Sequence, residues 1–258
     1  MNSGRSILTY HNIACSHEGL HLYDVALSDF DEQMKLLRAL PGLHVSTLNQ
    51  AVTSDGRHIA LTFDDGYASW AHEVLEVLTR HELKAHFFVC VENIYKWSAS
   101  LKSNDYAISR EDIVRLKDAG MVIGSHAMKH RFLHRLDMKD IDYELSESKK
   151  ILEDIVGKRV TTFSVPRGMY NQNVIDAAKR AGYEHVYTSD IGINADEGFL
   201  QKRIPICRTT TLGVFKDIVN GRGIRAMAAR QMVKNSAKAL LGIENYNRVR
   251  SIVVAHAE

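Results

Sequence analysis

The chain has 258 residues and a formal net charge of +2, from 33 basic and 31 acidic side chains. This even charge balance argues against a nucleic-acid partner. Three dispersed cysteines without a CxxC pair favour a reducing compartment over a disulfide framework. The first residues lack the apolar core of a secretory signal, and no run of about 18 apolar residues could cross a membrane. We therefore expect a cytoplasmic protein.

Strand-like and helix-like segments alternate along the chain to about residue 210. Apolar segments predict strands at 6–11, 59–63, 84–91, 121–125, 160–165, 185–189 and 203–206. Apolar residues at i+3 and i+4 spacing predict the intervening helices, with Ser28 capping the first and a capping box at Ser109 and Asp112 opening the third. The alternation indicates parallel βαβ units, in a doubly wound sheet or a barrel. We expect a domain over 1–210 and a helical extension over 211–258.

The strand at 59–63 ends abruptly in Asp64, Asp65 and Gly66. Two adjacent carboxylates at the end of a buried strand repel each other and resist desolvation. A bound cation is the usual compensation. A solvated Asp-Asp-Gly turn is the alternative interpretation of this stretch alone.

Two further predicted strands end in reactive groups, His126 with His130 in SHAMKH and Arg167 in PRG. Because the carboxyl ends of parallel strands share one edge, we expect the three ends to converge. Four residues apart on a helical turn, the two imidazoles would face one metal ion. One carboxylate with two imidazoles leaves coordination positions open, which indicates a catalytic site with the second aspartate available as a base.

Three motifs in this order carry a family resemblance: TFDDG at 62–66, SHAMKH at 125–130 and FSVPRGMY at 163–170. Together they resemble the motifs of the NodB-homology polysaccharide deacetylases, carbohydrate esterase family 4. The opening LTYH at 8–11 also resembles exopolysaccharide-type members. The resemblance runs from residue 7 to about residue 208.

The resemblance implies a distorted (β/α)7 barrel that removes an N- or O-acyl group from a sugar, in a metal-dependent reaction. By position, the implied metal ligands are Asp65, His126 and His130, for zinc or alternatively cobalt, nickel or manganese. Asp64 would be the base that activates the metal-bound water. The backbone N–H of Arg167, at the family's usual aromatic position, would help to stabilise the oxyanion.

The chain also departs from the family pattern. Ser164 stands where many members carry an arginine that orients the catalytic aspartate. Arg167 is a candidate replacement for that arginine, or else a binder of an anionic substrate. The usual late general-acid histidine has no clear counterpart, so the candidates are His11, His256 and Asp64 itself, returning the proton that it takes up.

The substrate is expected to be a carbohydrate, either a polysaccharide or a lipid-linked saccharide. The third motif predicts contacts from Pro166, Gly168 and Tyr170. Aromatic rings suit the flat apolar faces of sugars, which makes Trp97 in the loop at 92–108 a further candidate. A loop at 92–108 that only covers the core is an equally supported interpretation.

The helical tail is basic, with no acidic residue between Asp217 and Glu244. Its bases are Arg222, Arg225, Arg230, Lys234 and Lys238. A basic amphipathic helix at 222–238 would lie on anionic lipid. The favoured alternative is a solvated helix packed across the bottom of the barrel.

Three other functions compete with a sugar deacetylase. A C–N hydrolase of the same fold could act on a small amide or imide, given the residue at 167 and the missing late histidine. A homologue that binds metal or sugar without turnover would fit Ser164, although Asp64 argues against it. An iron oxygenase with two histidines and one carboxylate is disfavoured by the second aspartate.

Overall fold

The computed structural model describes residues 4–48, 56–94, 108–196 and 198–241. Its strands are β1 (Arg5–Tyr10), β2 (Ile13–Ala14), β3 (Val25–Ala26), β4 (Leu43–Val45), β5 (Arg57–Asp65), β6 (His86–Val89), β7 (Val122–Ser125), β8 (Thr162–Ser164), β9 (His185–Tyr187), β10 (Leu200–Gln201) and β11 (Ile204–Pro205). Its α-helices are α1 (Leu27–Ala39), α2 (Glu73–Arg80), α3 (Arg110–Asp118), α4 (Met138–Val156), α5 (Gln172–Arg180), α6 (Leu212–Val219) and α7 (Ile224–Leu241). Short 3₁₀ turns cover Ala68–Trp70, Leu133–Arg135 and Pro166–Gly168.

The main sheet is parallel and has the order β10-β9-β8-β7-β6-β5-β1-β11, with β4 beside β5. Strands β10 and β11 stand at opposite ends of this order, yet only Lys202 and Arg203 separate them in the chain. That connection reaches about 11 Å at most, whereas a flat sheet of this width would hold its edges roughly 33 Å apart. The sheet therefore curls into a half-barrel, and the predicted (β/α)-barrel class is confirmed.

The core forms where the helices cover the sheet. Strand β5 is buried along its whole interior, as its continuous apolar run predicts. The Phe63 ring stacks on Phe87 at 4.8 Å and on Tyr10 at 5.3 Å, and Trp70 closes the cluster from the turn after β5. This packing leaves Asp64 and Asp65 at the carboxyl end of a rigid central strand.

Two predicted helix starts have different outcomes. The capping box of Ser109 and Asp112 is confirmed in α3, with both reciprocal hydrogen bonds present. The predicted cap at Ser28 is wrong, because α1 begins at Leu27 after an uncapped Ala26. The Ser28 hydroxyl lies instead against His17.

The segment beyond residue 210 contributes to the same hydrophobic core. Phe215, Ile218 and Val219 of α6 are buried in it, and Ile224 at the start of α7 joins them. The division of the chain at residue 210 remains a prediction. No helix in the described parts of the chain is long and apolar enough to span a membrane.

Candidate active site

A cavity of about 930 Å³ opens at the carboxyl ends of the barrel strands. Its walls bring together the ends of β1, β5, β7, β8 and β9, as the parallel topology predicts. The titratable side chains on its walls include His11, Asp64, Asp65, His126, His130, Asp190 and Arg203.

Asp65, His126 and His130 form the cluster predicted to bind metal. The Oδ1 atom of Asp65 lies 3.2 Å from Nε2 of His126 and 3.3 Å from Nε2 of His130. This oxygen is buried and accepts no hydrogen bond of adequate geometry from the described residues. Such an oxygen is costly to bury unless a cation completes its surroundings.

The histidines are oriented as metal ligands. His126 directs Nδ1 to the Ser164 carbonyl oxygen at 2.8 Å, an acceptor that places the ring proton on Nδ1 and leaves Nε2 free as a donor to metal. Burial, followed by the charge of His126, lowers the pKa of His130 to about 4, so its ring is neutral at pH 7. Burial opposes charge on His126, but the two carboxylates outweigh it and raise its pKa. The cluster therefore has the donor set and the negative potential that fit a divalent cation such as zinc.

The two histidines do not lie on a helix, so the predicted helical turn is wrong. They flank a loop in which Ala127 adopts a left-handed φ of 64°, and Asp65 across the site has φ 91°. From α4, the carboxylate of Glu144, which is 1% exposed, accepts the Lys129 N–H at 2.7 Å. Hydrogen bonds to the carboxylate and the backbone carbonyl of Glu144 thus hold the loop in its non-helical form, against the strain at Ala127.

Asp64 faces a different set of partners. Arg203 donates from Nη1 to Oδ1 and from Nη2 to Oδ2, each at 2.7 Å, and Ser164 Oγ donates to Oδ2 at 3.0 Å. The Arg203 Nε–H is held by the Thr188 carbonyl at 2.9 Å. Burial would raise the pKa of Asp64, but the charges of Arg203 and His126 outweigh it and hold this pKa below its usual range.

The predicted replacement of the family arginine by Arg167 is therefore wrong, because the guanidinium on Asp64 belongs to Arg203. The side chain of Arg167 points the other way, with Nε donating to the His130 carbonyl at 3.2 Å and the guanidinium over Phe132. Arg203 carried one sequence signal: it is a basic residue directly before the apolar residue Ile204.

The remaining predicted residues divide between the cavity and its surroundings. His11 is half-buried on the cavity wall, and burial, although opposed by the two carboxylates, lowers its pKa. Gly168 lines the cavity, whereas Pro166 is buried outside the lining. Tyr170 is outside the lining too, and its hydroxyl donates to the cavity residue Asp190 at 2.9 Å. Trp97 and His256 lie outside the described residues.

The tail helix α7 lies at the mouth of the cavity, so its predicted position across the barrel bottom is wrong. Gln231 donates to the Ser189 carbonyl at 2.6 Å and accepts the Ile191 N–H at 2.8 Å. Gln231, Lys234 and Asn235 line the cavity. The tail thus contributes a wall to the site.

The sequence of this chain is similar to those of known proteins. The family model "Polysaccharide deacetylase" matches residues 51–186, more than half of the chain. The peptidoglycan-N-acetylmuramic acid deacetylase PdaA of Bacillus subtilis is 30% identical over 146 residues, 54% of this chain and 51% of that protein. A peptidoglycan-N-acetylglucosamine deacetylase of Bacillus cereus is 30% identical over 54% of this chain and 59% of that protein. The chain thus spans little more than half the length of these two relatives.

Solved structures share the fold. The Streptococcus pyogenes deacetylase PplD superposes with a TM-score of 0.73 at 21% identity, covering 84% of this chain and 98% of that one. BC0361, a polysaccharide deacetylase from Bacillus cereus, gives a TM-score of 0.72 at 25% identity over 84% of this chain and 69% of that one. The curled sheet with its rim of strand ends is thus an architecture that these proteins have in common.

Proposed function

The chain belongs to the polysaccharide deacetylase family of NodB homology, and we propose that it is a metal-dependent hydrolase that removes an N-acetyl or other acyl group from a sugar. The sugar would belong to a polysaccharide or a lipid-linked saccharide. The observation that carries this proposal is that the two aspartates at the end of β5 have different partners. Asp65 shares a cluster with the imidazoles of His126 and His130, while Asp64 has a lowered pKa and is held by Arg203.

The chain's own residues would perform the proton transfers. Asp64 takes the proton of the attacking water as its oxygen bonds to the acyl carbon, and Arg203 holds the carboxylate in the orientation for that transfer. The bond from the acyl carbon to the sugar nitrogen then breaks, and the amine leaves with a proton from His11 or from Asp64. Asp65, His126 and His130 would hold a divalent cation, which would supply Lewis acidity and lower the pKa of a bound water.

His11 is the proposed acid because it lies on the same cavity wall as both aspartates and has an unpaired buried Nδ1 within the described structure. Burial favours its neutral form, so only its protonated fraction could serve the leaving amine. The backbone N–H of Arg167 remains the proposed oxyanion donor. The next residue must be glycine, because a Cβ at Gly168 would come within 2.1 Å of the Ser189 hydroxyl.

The test measures bound metal and acetate released from N-acetylated oligosaccharides. We expect Asp64→Asn to lower kcat by roughly 10²- to 10⁴-fold, the usual contribution of a general base, with metal retained. Asp154→Asn, which changes an exposed carboxylate paired with Arg110, is the matched control and should leave kcat unchanged.

Two outcomes would contradict the proposal. A parent protein that takes up no divalent metal would remove its basis. Metal uptake without acetate release from any acylated sugar would favour a small-amide hydrolase of the same fold or a binding protein without turnover.

Contact between the basic tail and an anionic membrane also remains a proposal. Met232 and Val233 on α7 are each 70% exposed, beside the basic residues of the same helix. Such a contact would bring the cavity mouth to the lipid surface. Co-sedimentation with anionic but not with neutral vesicles would support it, and equal sedimentation with both would argue against it.

A further inference from the structure

The side chains of two arginines on the cavity wall are not used by the proposed reaction. Arg135 and Arg167 both line the cavity, and neither forms an ion pair with a carboxylate within the described residues. Surface arginines elsewhere do so: Arg80 reaches Asp31 at 3.1 Å, and Arg180 reaches Asp142 at 2.7 Å. The cavity wall thus holds two positive charges that no carboxylate among the described residues neutralises by direct pairing.

One aromatic ring holds both guanidinium groups. The guanidinium carbon of Arg167 lies 4.5 Å from the centre of the Phe132 ring, and that of Arg135 lies 4.9 Å from the same centre. Cation–π contact holds a guanidinium near the ring without consuming its N–H donors. Both guanidinium groups therefore lie against the same ring and keep N–H donors for a ligand.

The backbone at Arg167 is strained in a way that favours a role for its side chain. Its φ is 59°, a left-handed conformation that costs a residue with a Cβ about 1–2 kcal/mol and that glycine adopts freely. The chain nevertheless carries arginine here, immediately before a glycine. Strained residues of this kind persist where the surrounding structure holds them, and they cluster at binding and catalytic sites.

The pair lies close to the reaction centre. Arg167 donates to the carbonyl of His130, whose ring is 3.3 Å from Asp65. Two other carboxylates on the wall do not pair with these arginines. Asp24 accepts the His21 N–H at 2.7 Å, and Asp190 accepts the Tyr170 hydroxyl at 2.9 Å.

We propose that Arg135 and Arg167 form a subsite for an anionic group, a carboxylate or a phosphate, on the acylated sugar or on its immediate neighbour. The planar forks of arginine match both anions. This inference rests on the proposed deacetylase function. It predicts that the enzyme selects acidic glycans over neutral ones of equal length.

The experiment compares three N-acetylated substrates of matched size: neutral, bearing a carboxylate and bearing a phosphate. For the parent we expect kcat/KM to be at least tenfold higher for one charged substrate than for the neutral one, mainly through a lower KM. In Arg135→Ala and Arg167→Ala this ratio should fall at least tenfold, with partial recovery in Arg167→Lys. Arg159→Ala, outside the cavity and 73% exposed, should keep the parent's ratio. Metal content and Tm show that each variant is folded.

A binding measurement separates this proposal from the deacetylase function. Calorimetry with inorganic phosphate and with a uronate oligosaccharide, on parent and variants, needs no turnover. Binding of either anion that is lost in both arginine variants supports the subsite even if no sugar is deacetylated, and the anion preferred identifies the substituent. Equal use of neutral and charged substrates, or a preference that survives both substitutions, would overturn the proposal.

Discussion

Asp64 and Asp65 are neighbours in the chain but lie in opposite surroundings. Both oxygens of Asp64 are occupied by Arg203, with Ser164 as a third donor. Asp65 has an oxygen that accepts nothing from the described residues and that faces two imidazoles. Both carboxylates line the same cavity, but the left-handed φ of 91° at Asp65 takes its side chain out of regular strand alternation. Asp64 therefore meets Arg203 while Asp65 meets the two imidazoles. The difference is what the proposed roles require, with Asp64 as a base and Asp65 as a metal ligand.

The largest expected effect comes from removing the charge that holds Asp64. Arg203→Met leaves a buried carboxylate without its partner, which typically costs about 3–5 kcal/mol. Because Arg203 keeps the folded pKa of Asp64 below its unfolded value, their pairing stabilises the fold above the unfolded pKa. This contribution is lost as pH falls through the folded pKa. The Tm difference between parent and variant should therefore be greatest near neutral pH and shrink in acid.

The same substitution should also raise the pKa of Asp64 in the active enzyme, so the acidic limb of the pH–kcat/KM profile should move to higher pH. Arg203→Lys keeps a positive charge without the bidentate geometry. Its acidic limb should lie between those of the parent and of Arg203→Met. Arg110→Ala, an exposed arginine paired with Asp154, is the control. An unchanged acidic limb in Arg203→Met would show that Asp64 does not depend on this partner.

An intermediate effect is expected at the proposed acid. His11→Asn should lower kcat by about 10²-fold if this ring protonates the leaving amine. Burial keeps the His11 pKa below the usual histidine range, so the parent's kcat should decline as pH rises through that lowered pKa. The variant should lack this decline. If the decline persists in His11→Asn, Asp64 returning its proton becomes the better explanation.

The smallest effect is expected from the residue that holds the loop between His126 and His130. Glu144→Ala removes the acceptor of the Lys129 N–H and should weaken metal binding by about tenfold, the lower range for groups that orient ligands. Glu144→Gln keeps an acceptor oxygen and should bind metal nearly as the parent does. Glu147→Ala, on the same helix, is the control. Chelator competition measures the affinity, and equal values for the Ala and Gln variants would count against this role.

Local patterns predicted the elements well because their causes are local. The apolar run of β5, the capping box of Ser109 and the glycine that ends α4 each depend on residues a few positions apart. The predicted cap at Ser28 was wrong because α1 already begins at Leu27, which places Ser28 inside the helix. The helical turn for His126 and His130 was also wrong, since the left-handed Ala127 is set by packing against α4 and β6.

The sequence by itself determined the family, the alternating architecture and the grouping of Asp65 with His126 and His130, because spaced motifs at strand ends carry that information. Only the tertiary structure decided which arginine holds Asp64. Arg203 is 139 residues away and reaches that carboxylate because the sheet curls and brings the connection between β10 and β11 to the interior. The fold likewise decided that α7 walls the cavity and that Arg167 joins Arg135 at Phe132. Contacts between distant segments depend on closure of the barrel, which no local pattern encodes.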